Sequence, residues 1–423
     1  MRNLAMHLLP SNLNDWPQKA SFLLVAGSVS LVLVSIAVSQ ILLGGAVIAA
    51  ILQVRREGRG RSLPAAILWP LLFLFVWTLI AAFAASGQLH GSLVGKFFLF
   101  TLLFILPVLA RGSDRVIWMY HAVFAVAAVA SAAGLVQYLS NPERDLLHRI
   151  QGFMSIWMTY SGLLMLVLVS LIAYAVVIGW RKHLWILPLT AATAAALYLS
   201  QTRSAWLGAV GGIAVIFLLK RPRAILGLPV LLLALYLASP AGIQERLRSG
   251  WNPADPTTRG RIEVFGAAVR LIQAHPWLGV GQRVSREVLL YRGTEEFPDY
   301  AYLHMHNNFL QVAAERGIPG LLLWLWFMFQ LGWQPFLLFR SGSRAAAAGE
   351  VAGKTMLFVS AAAVGGWVAL LTSGMFEYNF GDSEVLTLFL FIMGAPHAAK
   401  PKAVENPGNE YEMRMVEAAQ EME

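Results

Sequence analysis

The chain has 423 residues, 57% of them hydrophobic and only 13% charged, with a net charge of +9 at neutral pH. Apolar excess on that scale, gathered in long runs instead of short alternating ones, excludes a soluble globular protein and gives an all-α polytopic membrane protein. Cysteine is absent, which removes disulfides, thiolate nucleophiles and thiolate metal sites, and the positive charge is read by its place in the loops, not as a nucleic-acid signal.

Runs of spanning length fall at roughly 21–37, 39–54, 64–85, 93–110, 116–139, 156–179, 184–200, 205–219, 223–239, 319–339, 352–372 and 383–396, which predicts about twelve transmembrane helices. Residues 21–54 form one apolar block broken only by Ser39-Gln40, so this pair is a tight hairpin or one long tilted span. Arg2 and Lys19 precede it with no small-residue cleavage site and soluble domain behind, and it reads as an uncleaved first span.

Loop charge sets the orientation. Arg55-Arg56 with Arg59 and Arg61, Arg111 with Arg115, Arg181-Lys182, Lys220-Arg221 with Arg223, and Arg340 with Arg344 and Lys354 fall on one side, together with both tails. The positive-inside bias makes that side cytoplasmic and requires an even number of spans. The outer face then receives loops 86–92, 139–155, 200–204 and 373–382 and the long segment 240–318. The organisation expected is spans one to nine in 1–239, a large outer loop in 240–318, spans ten to twelve in 319–396 and a polar cytoplasmic tail in 397–423.

Segment 240–318 is too long for a plain connector. Thr257-Thr258 offers a cap for a helix that carries Arg261 near its start. Ile262, Phe265, Val269 and Ile272 recur at helical spacing, widened by Ala267, Ala268 and Leu271, and Pro276 ends the run.

Topology does not require cations on the outer face, so those present are informative. Arg203 is pinned in the short turn Ser200-Gln201-Thr202-Arg203-Ser204, and Lys96 sits about one turn inside a span, where an ammonium is costly unless paired or hydrated. Arg144 and Arg149 fall in loop 139–155, and Arg259 and Arg261 come from the long segment. Each taken singly can snorkel to lipid headgroups; converging, they build an anion site in which guanidinium grips phosphate bidentately without a metal. Arg270, Arg283, Arg286 and Arg292 read as solvated loop charges.

His304-Met305-His306-Asn307-Asn308 follows directly, leading through Glu315-Arg316 to Gly317-Ile318-Pro319-Gly320. A neutral imidazole suits a general base for a sugar hydroxyl, and an interface histidine is the plain alternative. His304 and His306 are spaced to share a metal, but no third ligand is fixed by spacing. Asp382 and Glu377 in the last outer loop are too isolated to be given roles.

His306-Asn307, nine residues and Gly317 resemble the H-[N/S/Q]-x9-G motif of the bacterial O-antigen ligase family and the related oligosaccharyltransferases. Thr202-Arg203-Ser204-Ala205-Trp206 resembles that family's arginine turn. Arg261 with His275-Pro276-Trp277-Leu278-Gly279-Val280-Gly281 resembles its large-loop signature. The resemblance implies a fold like the C-type membrane glycosyltransferases. It also implies transfer of a glycan from undecaprenyl diphosphate to lipid A-core oligosaccharide, at the periplasmic face of a bacterial inner membrane. His306 would be the base and Arg203 and Arg261 the diphosphate ligands, with Lys96, Arg144, Arg259, His304 and Asn307 as further site residues. Substrate and membrane lipids are the partners implied, with no metal, cofactor or nucleic acid. An O-antigen polymerase and a protein O-oligosaccharyltransferase share the pattern, and Arg270 with ten residues before Gly281 also fits an R-x10-G pattern of polymerases. A lipid-linked glycan transporter is the alternative of another class, but its charges belong near the bilayer midplane and not at one boundary.

Overall fold

The computed structural model describes residues 15–57, 63–87, 91–141, 148–252, 254–293, 297–347 and 351–400, together with Pro10 and Leu13. Arg144 and the polar tail after Lys400 lie outside the described residues. Among those described the regular elements are helices, and no strand occurs.

Helices cover every apolar run. They are α1 (Trp16–Leu31), α2 (Ile36–Glu57), α3 (Ala65–Ser86), the pair α4 (Gly91–Leu99) and α5 (Thr101–Leu109), α6 (Ser113–Ser140), α7 (Trp157–Tyr174), α8 (Ile186–Leu199), α9 (Arg203–Lys220) and α10 (Gly227–Ala238). The long loop holds α11 (Ala241–Arg248), α12 (Pro256–Ala274) and the single turn α13 (Val284–Glu287), before α14 (Asn308–Ala347), α15 (Val351–Ser373) and α16 (Ser383–Ala399). Among the described residues seven helices are long and apolar enough to cross a membrane unaided. Others are short: α8, with 14 residues, rises about 21 Å, less than a hydrocarbon core of ~30 Å.

The first apolar block is a hairpin. Its turn falls at 32–35, ahead of the Ser39-Gln40 break, and the Ser39 hydroxyl donates to the Ser28 carbonyl at 2.7 Å across the pair. The span expected at 93–110 is likewise divided at Phe100 into α4 and α5.

Two packing features set up one end of the bundle. In the first, α9 lies against α15 through small residues: a Cβ on Gly208 would come within 2.7 Å of the Ala369 carbonyl, and one on Gly212 within 2.6 Å of the Gly365 carbonyl. Backbones approach that closely only where side chains are missing. The Arg203 end of α9 is thereby brought beside the Ser373 end of α15, where loop 374–382 begins.

The second is a separate small core in the long loop, made by Val264, Ala267, Ala268 and Leu271 of α12 with Val280, Val284, Val288, Tyr302, Met305 and Ala314. The structure corrects two expectations here. Helix α12 starts at Pro256 with Asp255 as its cap, the Thr258 N–H donating to Asp255 Oδ1 at 3.0 Å, so Arg261 lies in its second turn. Its buried face is also rotated from the one expected, for Ile262 and Val269 are exposed and the small Ala267 and Ala268 point inward. Alanines let α12 sit close to the backbone of α14, which the larger side chains would prevent.

Candidate active site

Helix α14 contains a kink. Gly317 has φ 69 and ψ 179, so residues 308–316 form a short helix set at an angle to the long one that follows. The loop segment 276–281 grips this kink. The Ile318 N–H donates to the Pro276 carbonyl at 2.8 Å, and the Val280 N–H donates to the Ala314 carbonyl at 2.9 Å. Side chains are excluded on both sides of the clasp: a Cβ on Gly317 would lie 2.1 Å from the Trp277 carbonyl oxygen, and one on Gly279 2.5 Å from that of Ala314. The spacing between His306-Asn307 and Gly317 is therefore the length of one short helix, begun by the first pair and ended by the glycine.

Asn307 caps that helix. Its Oδ1 accepts from the Phe309 and Leu310 N–H groups at 2.8 and 3.0 Å, and its Nδ2 donates to the Met375 carbonyl at 2.9 Å. Asn308 is buried and holds the same loop, donating to Asn379 Oδ1 at 2.7 Å and accepting from the Phe380 N–H at 3.1 Å. Asn307 is thus a clamp between the short helix and loop 374–382. Met305 is fully buried in the loop core, which fixes His304 and His306 on either side of it.

His306 adopts φ 46, in the left-handed region, as does Gln201 in the turn before Arg203. Such a conformation costs about 1–2 kcal/mol in a residue with a Cβ and persists where surrounding contacts impose it. Those contacts bring both imidazoles to one carboxylate, Glu377. His306 Nδ1 lies 3.5 Å and His304 Nε2 3.9 Å from Glu377 Oε1, and Arg261 Nη2 lies 3.5 Å from Oε2. His306 Nδ1 and Glu377 Oε2 are both buried with no closer partner.

Burial alone would push the Glu377 carboxyl up, but the His306 hydrogen bond and the charges of His306, His304 and Arg261 bring it down to about 2. Burial lowers His304 to about 4, with His306, Arg261 and Lys96 adding to the shift and Glu377 opposing it. His304 is therefore neutral at pH 7, and Arg261 is the permanent positive charge facing Glu377. The His306 N–H donates to His304 Nδ1 at 3.3 Å, which leaves the neutral ring's proton on Nε2.

The arginines collect nearby. Arg203 Nη1 donates to Ser249 Oγ at 3.1 Å and to the Arg246 carbonyl at 3.4 Å. Burial first, then the positive charges of Arg246, Arg261 and Arg203, draw Arg149 down to about 10, still charged at neutral pH. Arg149 stacks on the Trp157 ring at 4.2 Å. Its loop is pinned to α6 by Gln137, whose side chain bonds the Gly152 N–H and carbonyl and the Gln151 N–H. Arg246 is buried with its Nε unpartnered, and its acidic neighbour is Asp255. Among the described residues the carboxylates that face these guanidiniums are Asp255 and Glu377, and the buried Arg246 Nε has no hydrogen-bond partner, a place that an anion would fill.

Of the residues singled out in the sequence, Arg203, Arg261, His304 and His306 come together here, and they are joined by Arg246 and Glu377, which had no role assigned from the sequence. Arg259, about 200° round α12 from Arg261, is exposed on another side of that helix. Lys96 does not join the arginines; its ammonium lies 5.4 Å from the centre of the Tyr378 ring, beside His304. Glu377 lies between Phe376 and Tyr378 in the short connection from α15 to α16, and no spacing in the sequence ties it to His306.

Residues 188–325 match the family model described as O-antigen ligase. The match supports an O-antigen ligase family assignment and, with the apolar helices, a multi-pass membrane glycosyltransferase of the ligase and polymerase type. It takes in Arg203, Arg246, Arg261 and His306 and stops short of Glu377. No curated protein matches the chain.

His304, His306 and Glu377 each offer a ligand atom, all within 4.8 Å of one another, so the group is of a size to hold a metal ion. Two features oppose that use. His304 carries its proton on Nε2, the nitrogen that would have to ligate, and Glu377 already neutralises Arg261.

Proposed function

We propose that the protein is an O-antigen ligase, transferring a glycan from undecaprenyl diphosphate to lipid A-core oligosaccharide at the periplasmic face of the inner membrane. The observation that carries this reading is Glu377, which joins a guanidinium of the arginine group to the imidazole of His306.

Arg203 and Arg261, joined by Arg149 and Arg246, bind the diphosphate and stabilise the charge it gains as the glycosidic bond breaks. Binding an anion also satisfies the buried, unpartnered Arg246 Nε. Glu377 accepts from His306 Nδ1–H and so holds the tautomer whose Nε2 lone pair is free. The 3.5 Å separation shortens once substrate orders the site. Nε2 then takes the proton of the acceptor hydroxyl as its oxygen bonds to the anomeric carbon. The bond from that carbon to the diphosphate oxygen breaks, the configuration inverts, and undecaprenyl diphosphate leaves. Arginines and not a metal carry the leaving group's charge. Glu377 serves as positioning residue and not as nucleophile, since its two oxygens are occupied by imidazole and guanidinium.

The test is reconstitution of the full chain with a glycan donor on undecaprenyl diphosphate, three acceptors in parallel and EDTA throughout. Glycosylated lipid A-core is expected. Consumption of only a second lipid-linked glycan means a polymerase, and of only a pilin-like protein means a protein transferase. Movement of donor across sealed vesicles without transfer means a transporter. Loss of activity in EDTA, restored by magnesium, overturns the arginine-only account.

A further inference from the structure

Glu377 also borders a cavity of about 450 Å³ whose wall includes His304, Tyr378, Lys96, Thr159 and Asp382. None of the four clustered arginines lines it. A direct displacement needs this division, because the leaving group and the incoming hydroxyl stand on opposite sides of the anomeric carbon. His306 is not in the wall either, and its neighbours His304 and Glu377 there mark the side from which the acceptor hydroxyl reaches it.

Most charges in the wall are matched. Glu315 accepts from Arg316 at 2.6 Å and from the Tyr378 hydroxyl at 3.3 Å. Asp382 accepts from the Glu384 and Val385 N–H groups, each at 3.1 Å, and from the Thr159 hydroxyl. Glu377 is matched by Arg261. Lys96 differs: among the described residues its ammonium meets the Tyr378 ring and no carboxylate at ion-pair distance. The ring offsets only part of the cost of holding that charge on an apolar helix.

We propose that this cavity receives the acceptor saccharide, and that Lys96 binds an oxyanion carried by that sugar, a phosphate or a carboxylate. The volume lies within the range of small-molecule sites. The Tyr378 ring offers a flat face to the sugar's C–H groups, and Thr159, Gln282 and Ser285 bring hydrogen-bonding groups to the wall. The inference rests on the glycan-transfer reading, and it adds a requirement on the acceptor that the arginine group does not set.

The test uses the full-length protein and measures the two substrates separately. For Lys96→Met, the acceptor KM should rise tenfold or more while the donor KM stays within twofold, and Lys96→Arg should keep most of the acceptor affinity. Ser285→Phe, which fills the cavity without touching a charge, should give the same acceptor-only loss. A phosphatase-treated acceptor and a carboxyl-reduced acceptor identify the oxyanion: the one that matters lowers wild type to the level of Lys96→Met and leaves that variant unaffected. Acceptor binding measured without donor reads the pocket independently of turnover. Binding that is unchanged in Lys96→Met, or a loss confined to the donor KM, overturns the assignment. Acceptor binding that depends on Lys96 with no transfer by wild type counts against the ligase reading and leaves the pocket standing.

Discussion

His306 Nδ1 stands 3.5 Å from Oε1 of Glu377, a carboxylate 71 residues further along the chain and almost wholly buried. Glu377→Gln keeps the shape of that partner and removes its charge. The imidazole is then free to turn or to take the other tautomer, and kcat for glycan transfer should fall by about 10²-fold or more. Donor KM should change less, because Arg203, Arg246 and Arg149 remain. A kcat within twofold of wild type contradicts the positioning role.

The same group sets an acid response in two steps. The His304 imidazole falls from an ordinary 6.5 to about 4 in the fold, so the unfolded chain takes up its proton first, and stability present above pH 6.5 is lost as the pH falls toward 4. Glu377 falls from 4.5 to about 2, so its contribution is present above pH 4.5 and is lost as the pH falls toward 2. Each step is on the order of 1–3 kcal/mol. Thermal unfolding of the purified protein against pH should show both, and His304→Asn should remove the upper one and reduce, without abolishing, the lower. An unaltered upper step in that variant contradicts the assignment.

Arg246 separates function from stability. Replacing a buried, incompletely bonded guanidinium by an apolar side chain of similar length is commonly neutral or stabilising. Arg246→Met should therefore leave Tm unchanged or raised, while donor KM increases about tenfold or more. Arg203→Lys should not restore the donor KM lost in Arg203→Ala, since an ammonium lacks the two-pronged geometry. A large drop in Tm for Arg246→Met with unchanged donor KM makes the residue structural.

Gly317→Ala tests the clasp. The added Cβ meets the Trp277 carbonyl, and the backbone at φ 69 disfavours any side chain, so a loss of at least about 2 kcal/mol is expected. Proteolysis should show the long loop opening, with activity lost alongside it. Unchanged Tm and protease resistance would mean that the kink tolerates a side chain.

Much of this site was legible in the sequence because its signals are local. Long apolar runs marked the helices, the short turn singled out Arg203, and the His306-Asn307 to Gly317 spacing marked a segment whose form as a short helix only the structure supplies. Glu377 was not legible, because no fixed spacing ties it to His306; the packing of α9 on α15 and the Asn308–Asn379 bond bring it there. Arg246 was hidden for a similar reason, its burial depending on how α11 folds back on the Arg203 turn. The inward face of α12 was misread because the rule that large apolar residues point to the core fails where close backbone approach selects alanines. Lys96 was grouped with the arginines by topology, which assigns a face of the membrane but not a position on it.

The most direct measurement of the central claim is single-turnover transfer by His306→Ala, with donor binding determined on the same preparation. Donor should bind within a few fold of wild type while formation of glycosylated lipid A-core falls by about 10²–10⁴-fold, the contribution of a positioned base. Transfer at the wild-type rate in that variant, with donor bound, would contradict His306 as the base and with it the account of the site.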